Sequence, residues 1–385
     1  MRVSTVPSKH FSKLYAGFVL LLAMGSAAAD NGVSSNRIVL GQSAALSGPA
    51  AALGTAMRDG ALAYFDSVNA AGGVGGRQIV LTTLDDGYDP ARAGPNTATL
   101  VGKENVFALF GYVGTATSNA AQTWVDKENI PFFAPMTGAQ SFREPFNKNV
   151  FNIRDGYANE TEKIVEHLEA MGAKRIAVLY QNDAYGKSGL EGVTQALKKR
   201  NLEVLATAVV ERNSVDVAAA VAKMKAAKPR GIILISAYKS SAAFIREMRK
   251  NNDQLPFFWN VSFVGSRALA DELGADANGV MISQVMPSPL DETLSVVKEY
   301  RKLYLGKPGR EADYASLEGF IAAKVFVEGL RHVKGEPTRK NFIHALETMG
   351  AYNLGGYNVK FGPGNHNGSN YVDLSIITKG GRIQY

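Results

Sequence analysis

Between Arg37 and Pro90, strand-forming and helix-forming segments alternate in an order that is compatible with few folds. An apolar strand leads into the loop Ser47-Gly48-Pro49, a long helical stretch follows, and a Gly-rich turn precedes a second strand and an acidic turn. A doubly wound α/β domain begins in this order, with its first loop at the carboxyl end of the first strand. Ligands bind at that edge of such sheets, and a loop that opens a helix favours an anionic group such as a carboxylate.

The same alternation continues along most of the chain and predicts parallel sheets built from βαβ units. Strands are predicted for the apolar runs 38–40, 79–84, 106–110, 130–134, 176–180, 204–210, 231–236 and 279–285. Helices are predicted for the stretches 160–171, 189–200, 215–227, 240–251, 294–304 and 315–333. The tail changes character, because residues 352–385 are rich in Gly and Asn and read as short alternating strands.

We therefore predict an α/β fold with two doubly wound, Rossmann-like lobes. The first lobe is expected to contain residues 30–152 and 285–358, and the second lobe residues 153–284 and 359–385. The helical segment between 290 and 350 is expected to return to the first lobe after the second lobe has begun. The chain would therefore cross between the lobes more than once. Crossings near 152, 284 and 358 would form a hinge that closes the lobes on one small ligand.

The first 29 residues have the features of a secretory signal peptide. Arg2, Lys9 and Lys13 form a positive region, an apolar run spans 18–24, and Ala27-Ala28-Ala29 offers a cleavage site. The run is too short for a stop-transfer helix, and no later segment is apolar enough to cross a membrane. With no cysteine in the chain, a lipid anchor through a lipobox cysteine is excluded. A free periplasmic protein is expected.

Charge and residue patterns argue against several other classes of protein. Cleavage would lower the net charge from +7 to +4, which suits solubility and does not indicate nucleic-acid binding. No nucleophile elbow, catalytic triad or zinc motif occurs, so we expect no enzyme activity, no cofactor and no metal site. A monomer is expected, because the protein would have to present both lobes to a partner.

Several short motifs occur in order between about residues 37 and 380. They are Ser47-Gly48-Pro49 with Gly54, the run Asn69–Arg77, the acidic turn Asp85–Pro90, Gly111–Thr115, Ile130–Gly138, Asn182–Gly186 and Tyr314–Gly319. Together they resemble the periplasmic leucine/isoleucine/valine-binding proteins, the type I solute-binding components of ATP-driven importers. The resemblance implies the periplasmic binding protein type I fold, an amino acid or organic acid as ligand, and the membrane permease and ATPase of an ABC importer as partners.

The resemblance also implies a ligand site. Positions that match Thr115 and Met136–Gly138 hold the ligand's carboxylate and ammonium, and those that match Tyr185 and Tyr238 close over it. An ordinary packing role for the tyrosines and a strand-end cap for Thr115 are the competing interpretations. The predicted ligand-binding residues are Leu53, Tyr112, Gly114, Thr115, Met136, Thr137, Gly138, Tyr185, Tyr238 and Ser262.

One position departs from the family pattern. Relatives that bind aliphatic amino acids usually place an acid after the strand around Trp259, where this chain has Ser262. A buried ammonium without a charged partner is costly. Glu318 or Asp183 would have to replace the acid, although a solvated or structural role is expected for both. A branched-chain or other amino acid, an amine-free aromatic or aliphatic acid, and an amide therefore stay open as ligands, as does a role in sensing instead of transport.

Overall fold

The computed structural model describes residues 1–5, 31–250 and 255–384. Apart from its first five residues, the predicted signal peptide lies outside the described residues. In the part of the chain that is described, no helix has both the length and the apolar character that a bilayer crossing requires.

The first lobe is built on a sheet of five parallel strands in the order β2-β1-β3-β4-β5. This order is that of a doubly wound sheet, whose connections are helices on both faces. The strands are β1 (Arg37–Ala44), β2 (Gln78–Asp85), β3 (Ala108–Phe110), β4 (Phe132–Phe133) and β5 (Val150–Phe151). The connecting helices are α1 (Ala51–Ala70), α2 (Pro90–Gly102), α3 (Thr115–Asn119) and α4 (Gln122–Glu128).

The second lobe repeats this order and adds two antiparallel strands at one edge, giving β14-β13-β10-β9-β8-β6-β7. Its strands are β6 (Ile176–Gln181), β7 (Thr207–Val210), β8 (Gly231–Ile235), β9 (Phe257–Asn260), β10 (Met281–Gln284), β13 (Asp373–Ile377) and β14 (Ile383–Gln384). Its helices are α5 (Tyr157–Ala170), α6 (Ala184–Lys198), α7 (Ala218–Ala227), α8 (Tyr238–Arg249) and α9 (Ser266–Leu273).

Between β10 and β13 the chain returns to the first lobe. This segment contains α10 (Ser295–Tyr300), α11 (Tyr314–Arg331), α12 (Arg339–Thr348) and a hairpin of β11 (Ala351–Asn353) with β12 (Asn358–Lys360). Helix α11 is buried along most of its length and packs on α1, where a Cβ on Gly60 would overlap the carbonyl of Ser316. The apolar sequence of α11 thereby completes the core of a lobe that begins far upstream.

The predicted fold class is confirmed, and each predicted strand run overlaps an observed strand. Strand β5 is not predicted, because two residues are too short for a periodic signal. The predicted crossing near 358 falls within the β11–β12 hairpin. Phe361 and His366 still pack against Phe151 of the first sheet, with ring centroids 5.2 and 3.7 Å away. The predicted division into lobes stays a proposal, and we move its third boundary to the segment between His366 and β13.

Candidate ligand-binding site

The candidate site lies between the carboxyl ends of the two sheets, and the lobes touch each other around it. Asn213 Nδ2 donates to the carbonyl of Gly87 at 3.1 Å, and Gln181 Nε2 donates to the hydroxyl of Tyr88 at 3.2 Å. Leu53 on α1 lies against Gly265 of the second lobe, and Tyr238 is buried at the start of α8. Each of these contacts joins one lobe to the other, so the structure is in a closed arrangement.

The first lobe contributes two threonine hydroxyl groups from neighbouring loops. Thr115 begins α3 and Thr137 follows β4, and their Oγ1 atoms are 2.7 Å apart. The backbone N–H of Ala139 also donates to Thr137 Oγ1, at 3.1 Å. The loops meet because the carbonyl of Tyr112 accepts from the N–H of Met136 at 2.7 Å. One hydroxyl proton of the threonine pair is left to donate to a ligand, since the other is used in their mutual hydrogen bond.

Aromatic rings from both lobes form the wall of the site. The ring of Tyr185 lies 4.7 Å from Phe263 and 5.3 Å from Tyr157, and Tyr88 lies 6.0 Å from Phe263. Burial raises the pKa of Tyr157 and Tyr185, so both hydroxyl groups stay protonated. Among the described residues, the hydroxyl of Tyr185 has no hydrogen-bond partner. A buried donor of this kind is expected to bind a ligand or water.

A charged cluster, formed by Arg154, Glu160 and Glu318, lies beside these rings. Arg154 is fully buried between β5 and α5, and its Nη2 donates to the hydroxyl of Ser262. Its Nη2 is 3.6 Å from Glu160 Oε1, and its Nη1 is 3.5 Å from Glu318 Oε2. Glu160 Oε2 accepts from the N–H of Ser262 at 2.8 Å and from the hydroxyl of Ser283 at 2.6 Å. The cluster therefore joins three parts of the chain, which are the second lobe, the first crossing between the lobes near residue 152, and α11.

Burial opposes the charge of each group in this cluster, and the opposite charges of its neighbours act against that effect. Burial raises the pKa of Glu160 and of Glu318, and Arg154 opposes that rise only in part. Burial also opposes the charge of Arg154, but Glu318 and Glu160 keep its pKa above the ordinary value. Arg143 also lowers the pKa of Glu318, so a second guanidinium acts on the cluster from nearby.

The structure brings most of the predicted residues together. Thr115 is hydrogen-bonded to Thr137, and the adjoining Gly138 packs against Tyr157, whose ring contacts Tyr185. Met136 and Ser262 border a cavity of about 10 Å³ together with Glu318. Leu53 packs on Gly265 at the rim of that space. A Cβ on Gly138 would overlap Tyr157, and one on Gly114, where φ is +101°, would overlap Tyr88.

One expectation about a side chain needs correction. The hydroxyl of Tyr112 lies inside the first lobe, 2.9 Å from Thr97 Oγ1, because the ring packs edge-on against Phe132 in the core. Only its backbone belongs to the site loop. For Glu318 a solvated or structural role is expected, and the structural one applies, since the residue is 3 % exposed and faces Arg154. Asp183 has the expected structural role, because it accepts from the N–H of Gly186 and pairs with Arg212.

Sequence reasoning missed Arg154, Tyr157 and Glu160. Glu160 precedes the apolar residues Ile164 and Leu168 by four and eight positions, so it lies on the buried face of α5. Glu318 is the only charged residue between 315 and 323, in a helix that is buried along most of its length. A single acid on an apolar helix face could have indicated this cluster from the sequence, because an acid on a buried face is seldom found without a partner.

Two doubly wound lobes that close on a polar site define a binding protein of the two-lobed periplasmic type I class. The chain belongs to the periplasmic binding protein family, whose sequence model matches residues 37–382.

Relatives support this assignment over nearly the whole chain. A Leu/Ile/Val-binding protein homolog 7 from Brucella melitensis is 26% identical over 389 residues, covering 94% of this chain and 95% of that protein. The crystal structure of a possible leucine/isoleucine/valine-binding protein from Rhodopirellula baltica is 34% identical with a TM-score of 0.86, covering 93% of this chain and 97% of that one. A solute-binding protein of an ABC transporter from R. palustris, solved with benzoate, shares the fold at 20% identity and a TM-score of 0.81, covering 91% of this chain and 95% of that one.

Proposed function

We propose that this chain is an exported solute-binding protein of the periplasm. It captures a small carboxylate-bearing ligand between its lobes and delivers it to the permease and ATPase of an ABC importer. The observation that carries this proposal is the buried Thr115–Thr137 hydroxyl pair, beside which Gly138 packs against Tyr157, a ring 5.3 Å from that of Tyr185. Binding shifts an equilibrium between open and closed lobes and needs no covalent step, so we propose no enzymatic reaction.

The names of relatives agree with a role in uptake. The Brucella melitensis relative is named for leucine, isoleucine and valine, and the R. palustris neighbour is described as part of an ABC transporter that binds benzoate. Leucine, isoleucine, valine and benzoate all carry a carboxylate, which agrees with two of the three ligand classes considered for this chain, the amino acids and the amine-free acids.

The test is a binding screen on protein that has been unfolded and refolded to remove any carried-over ligand. We expect a small carboxylate to raise the melting temperature, and calorimetry to give its affinity.

The double variant Thr115→Ala/Tyr185→Ala should weaken that affinity by more than about tenfold, which corresponds to about 1.4 kcal/mol. As a control, Thr99→Ala removes an exposed hydroxyl on α2 that bonds the carbonyl of Pro95, and it should leave the affinity unchanged. Affinity within twofold of wild type in the double variant would contradict the site.

A further inference from the structure

We infer that Tyr357 is a positioning residue of the hinge, whose hydroxyl joins the first and second crossings and so limits the range of orientations that the two lobes can take. With the bonds that Asn152 makes to the third crossing, it completes one hydrogen-bonded unit of the three crossings. This role goes beyond the proposed function, because it concerns the movement of the lobes and applies whichever ligand they bind. Tyr357 lies outside every motif that carries the family resemblance.

The first support is the contact of one hydroxyl with two crossings. Tyr357 immediately precedes β12, in the hairpin that leads to the third crossing. Its hydroxyl donates to the carbonyl of Ile153 at 2.7 Å, and the carbonyl of Val285 lies 3.2 Å away. Since a hydroxyl has a single proton, the two carbonyls share it in a three-centre hydrogen bond, in which the shorter contact is the stronger. One side chain thereby connects two segments that are far apart in the sequence.

The second support is the burial of this contact. Tyr357 is 1 % exposed, and burial raises the pKa of its hydroxyl, which therefore stays protonated and able to donate. Ile153 and Val285 are buried as well, so bulk water does not replace the hydrogen bond when the hydroxyl is removed. The ring of Tyr357 lies 5.9 Å from that of Tyr371, which belongs to the third crossing. Tyr357 thus contacts all three crossings from the interior.

The third support is the connection between the first and third crossings. The N–H of Asn152 donates to the carbonyl of His366 at 2.9 Å, and the N–H of Gly368 donates to the carbonyl of Asn152 at 2.7 Å. The side-chain amide of Asn152 also donates to Asn367 Oδ1, at 3.1 Å. These bonds hold the first and third crossings side by side, and the hydroxyl of Tyr357 adds the second crossing to them.

The fourth support is the position of the two carbonyls relative to the candidate site. Ile153 precedes Arg154, whose guanidinium is 3.5 Å from the carboxyl group of Glu318. Val285 and Met286 border the small cavity that they share with Glu318. A hydroxyl that holds both carbonyls therefore also fixes where each crossing bends relative to the site. Through these neighbours Tyr357 acts on ligand binding from outside the cavity.

The experiment measures the orientations of the lobes directly, on refolded protein without added ligand. Because the chain contains no cysteine, Lys103→Cys after α2 and Lys223→Cys on α7 place one spin label on an exposed position of each lobe. Double electron–electron resonance then gives the distribution of distances between the two labels. In Tyr357→Phe, the fraction of molecules outside the range of the labelled parent should rise about two- to tenfold, which is the change in population that one hydrogen bond produces.

Tyr300→Phe is the matched control, because the hydroxyl of this buried tyrosine bonds Ser316 inside the first lobe. It should keep the distribution of the labelled parent even where it lowers thermal stability. Amide hydrogen exchange gives a second measurement. Tyr357→Phe should raise exchange in residues 152–154 and 284–286 and leave β1 unchanged, whereas a loss of packing alone would raise exchange throughout the first lobe.

Asn367→Ala tests the same unit from an exposed position, since it removes the side-chain bond to Asn152 and should also broaden the distribution. An unchanged distribution in Tyr357→Phe would overturn the inference, and so would an equal broadening in Tyr300→Phe. If Tyr357→Phe does not fold, an unchanged distribution in Asn367→Ala overturns it. Because no ligand is added, each of these results is independent of the binding screen that tests the proposed function.

Discussion

Asp85 and Asp86 are neighbours in the sequence, yet the structure gives their carboxyl groups opposite environments. Asp85 accepts from the N–H groups of Leu46 and Gly87, both at 2.9 Å, and from the hydroxyl of Ser47 at 2.6 Å. Burial opposes its charge, but these hydrogen bonds lower its pKa below the ordinary range. Asp86 is fully buried, and burial raises its pKa to about 6.

The variant Asp86→Asn tests this difference. Because the folded chain holds the Asp86 proton more tightly than the unfolded chain, the free energy of unfolding should fall as the pH rises from 3.8 to about 6. The fall from this one group is up to about 3 kcal/mol. Asp86→Asn should remove that slope in urea unfolding measured at several pH values. Parallel curves for wild type and variant across this window would contradict the assignment.

Asp85→Asn is the control with the opposite sign. A carboxyl with a lowered pKa stabilises the fold above 3.8, and that contribution is lost as the pH falls below this value. The difference between Asp85→Asn and wild type should therefore be largest near neutral pH and shrink in acid.

At the scale of elements, the contact between α1 and α11 depends on glycine. A Cβ on Gly60 would overlap the carbonyl of Ser316, and one on Gly319 would overlap the carbonyl of Met57. The two helix backbones therefore lie in direct contact. This contact joins residues near both ends of the first lobe, which are separated by about two thirds of the chain.

Gly60→Ala should destabilise the protein by at least about 1–3 kcal/mol, because the added methyl group has to separate two packed backbones. Gly94→Ala on α2 is the matched control, since the atom nearest to its added Cβ is 4.0 Å away. The control should be neutral or should raise stability by up to about 1 kcal/mol through its better helix propensity. Denaturant unfolding measures both variants, and an equal effect in the two would refute the packing explanation.

At the scale of the whole molecule, lobe closure depends on contacts that exist only in the closed arrangement. The hydroxyl of Tyr88 accepts from Gln181 across the cleft, whereas that of Tyr300 bonds Ser316 within the first lobe, at 2.7 Å. The two residues are buried tyrosines that differ in whether their hydrogen bond spans the lobes. They therefore offer a direct comparison of closure with internal stability.

Tyr88→Phe should weaken ligand affinity about two- to tenfold, because one hydrogen bond contributes about 0.5–1.5 kcal/mol to the closed form. Small-angle scattering should show that this variant needs more ligand than wild type to reach its smaller, closed radius of gyration. Tyr300→Phe should lower thermal stability and leave affinity unchanged. A similar loss of affinity in both variants would mean that Tyr88 acts through stability and not through closure.

Much of the architecture was predictable because its signal is local. Strand β8 is buried on both faces and reads as an unbroken apolar run, and the loops that follow β3 and β4 are marked by glycine and threonine. The side-chain directions of Leu53, Tyr112 and Tyr238 had no such signal. Whether an aromatic ring faces a ligand or a core depends on neighbours from other elements, and Tyr112 turned inwards onto Phe132.

The sequence by itself determined the alternation of strands and helices, the two lobes and the loops of the first-lobe site, because hydrophobic periodicity and turn residues act over a few positions. Only the tertiary structure decided which charges meet. Arg154, Glu160 and Glu318 form one cluster because α5 and α11 bury their apolar faces in different lobes that then close on the same connection. Ion pairing acts over a few ångströms of space, so it follows the packing of the lobes and not the order of the residues.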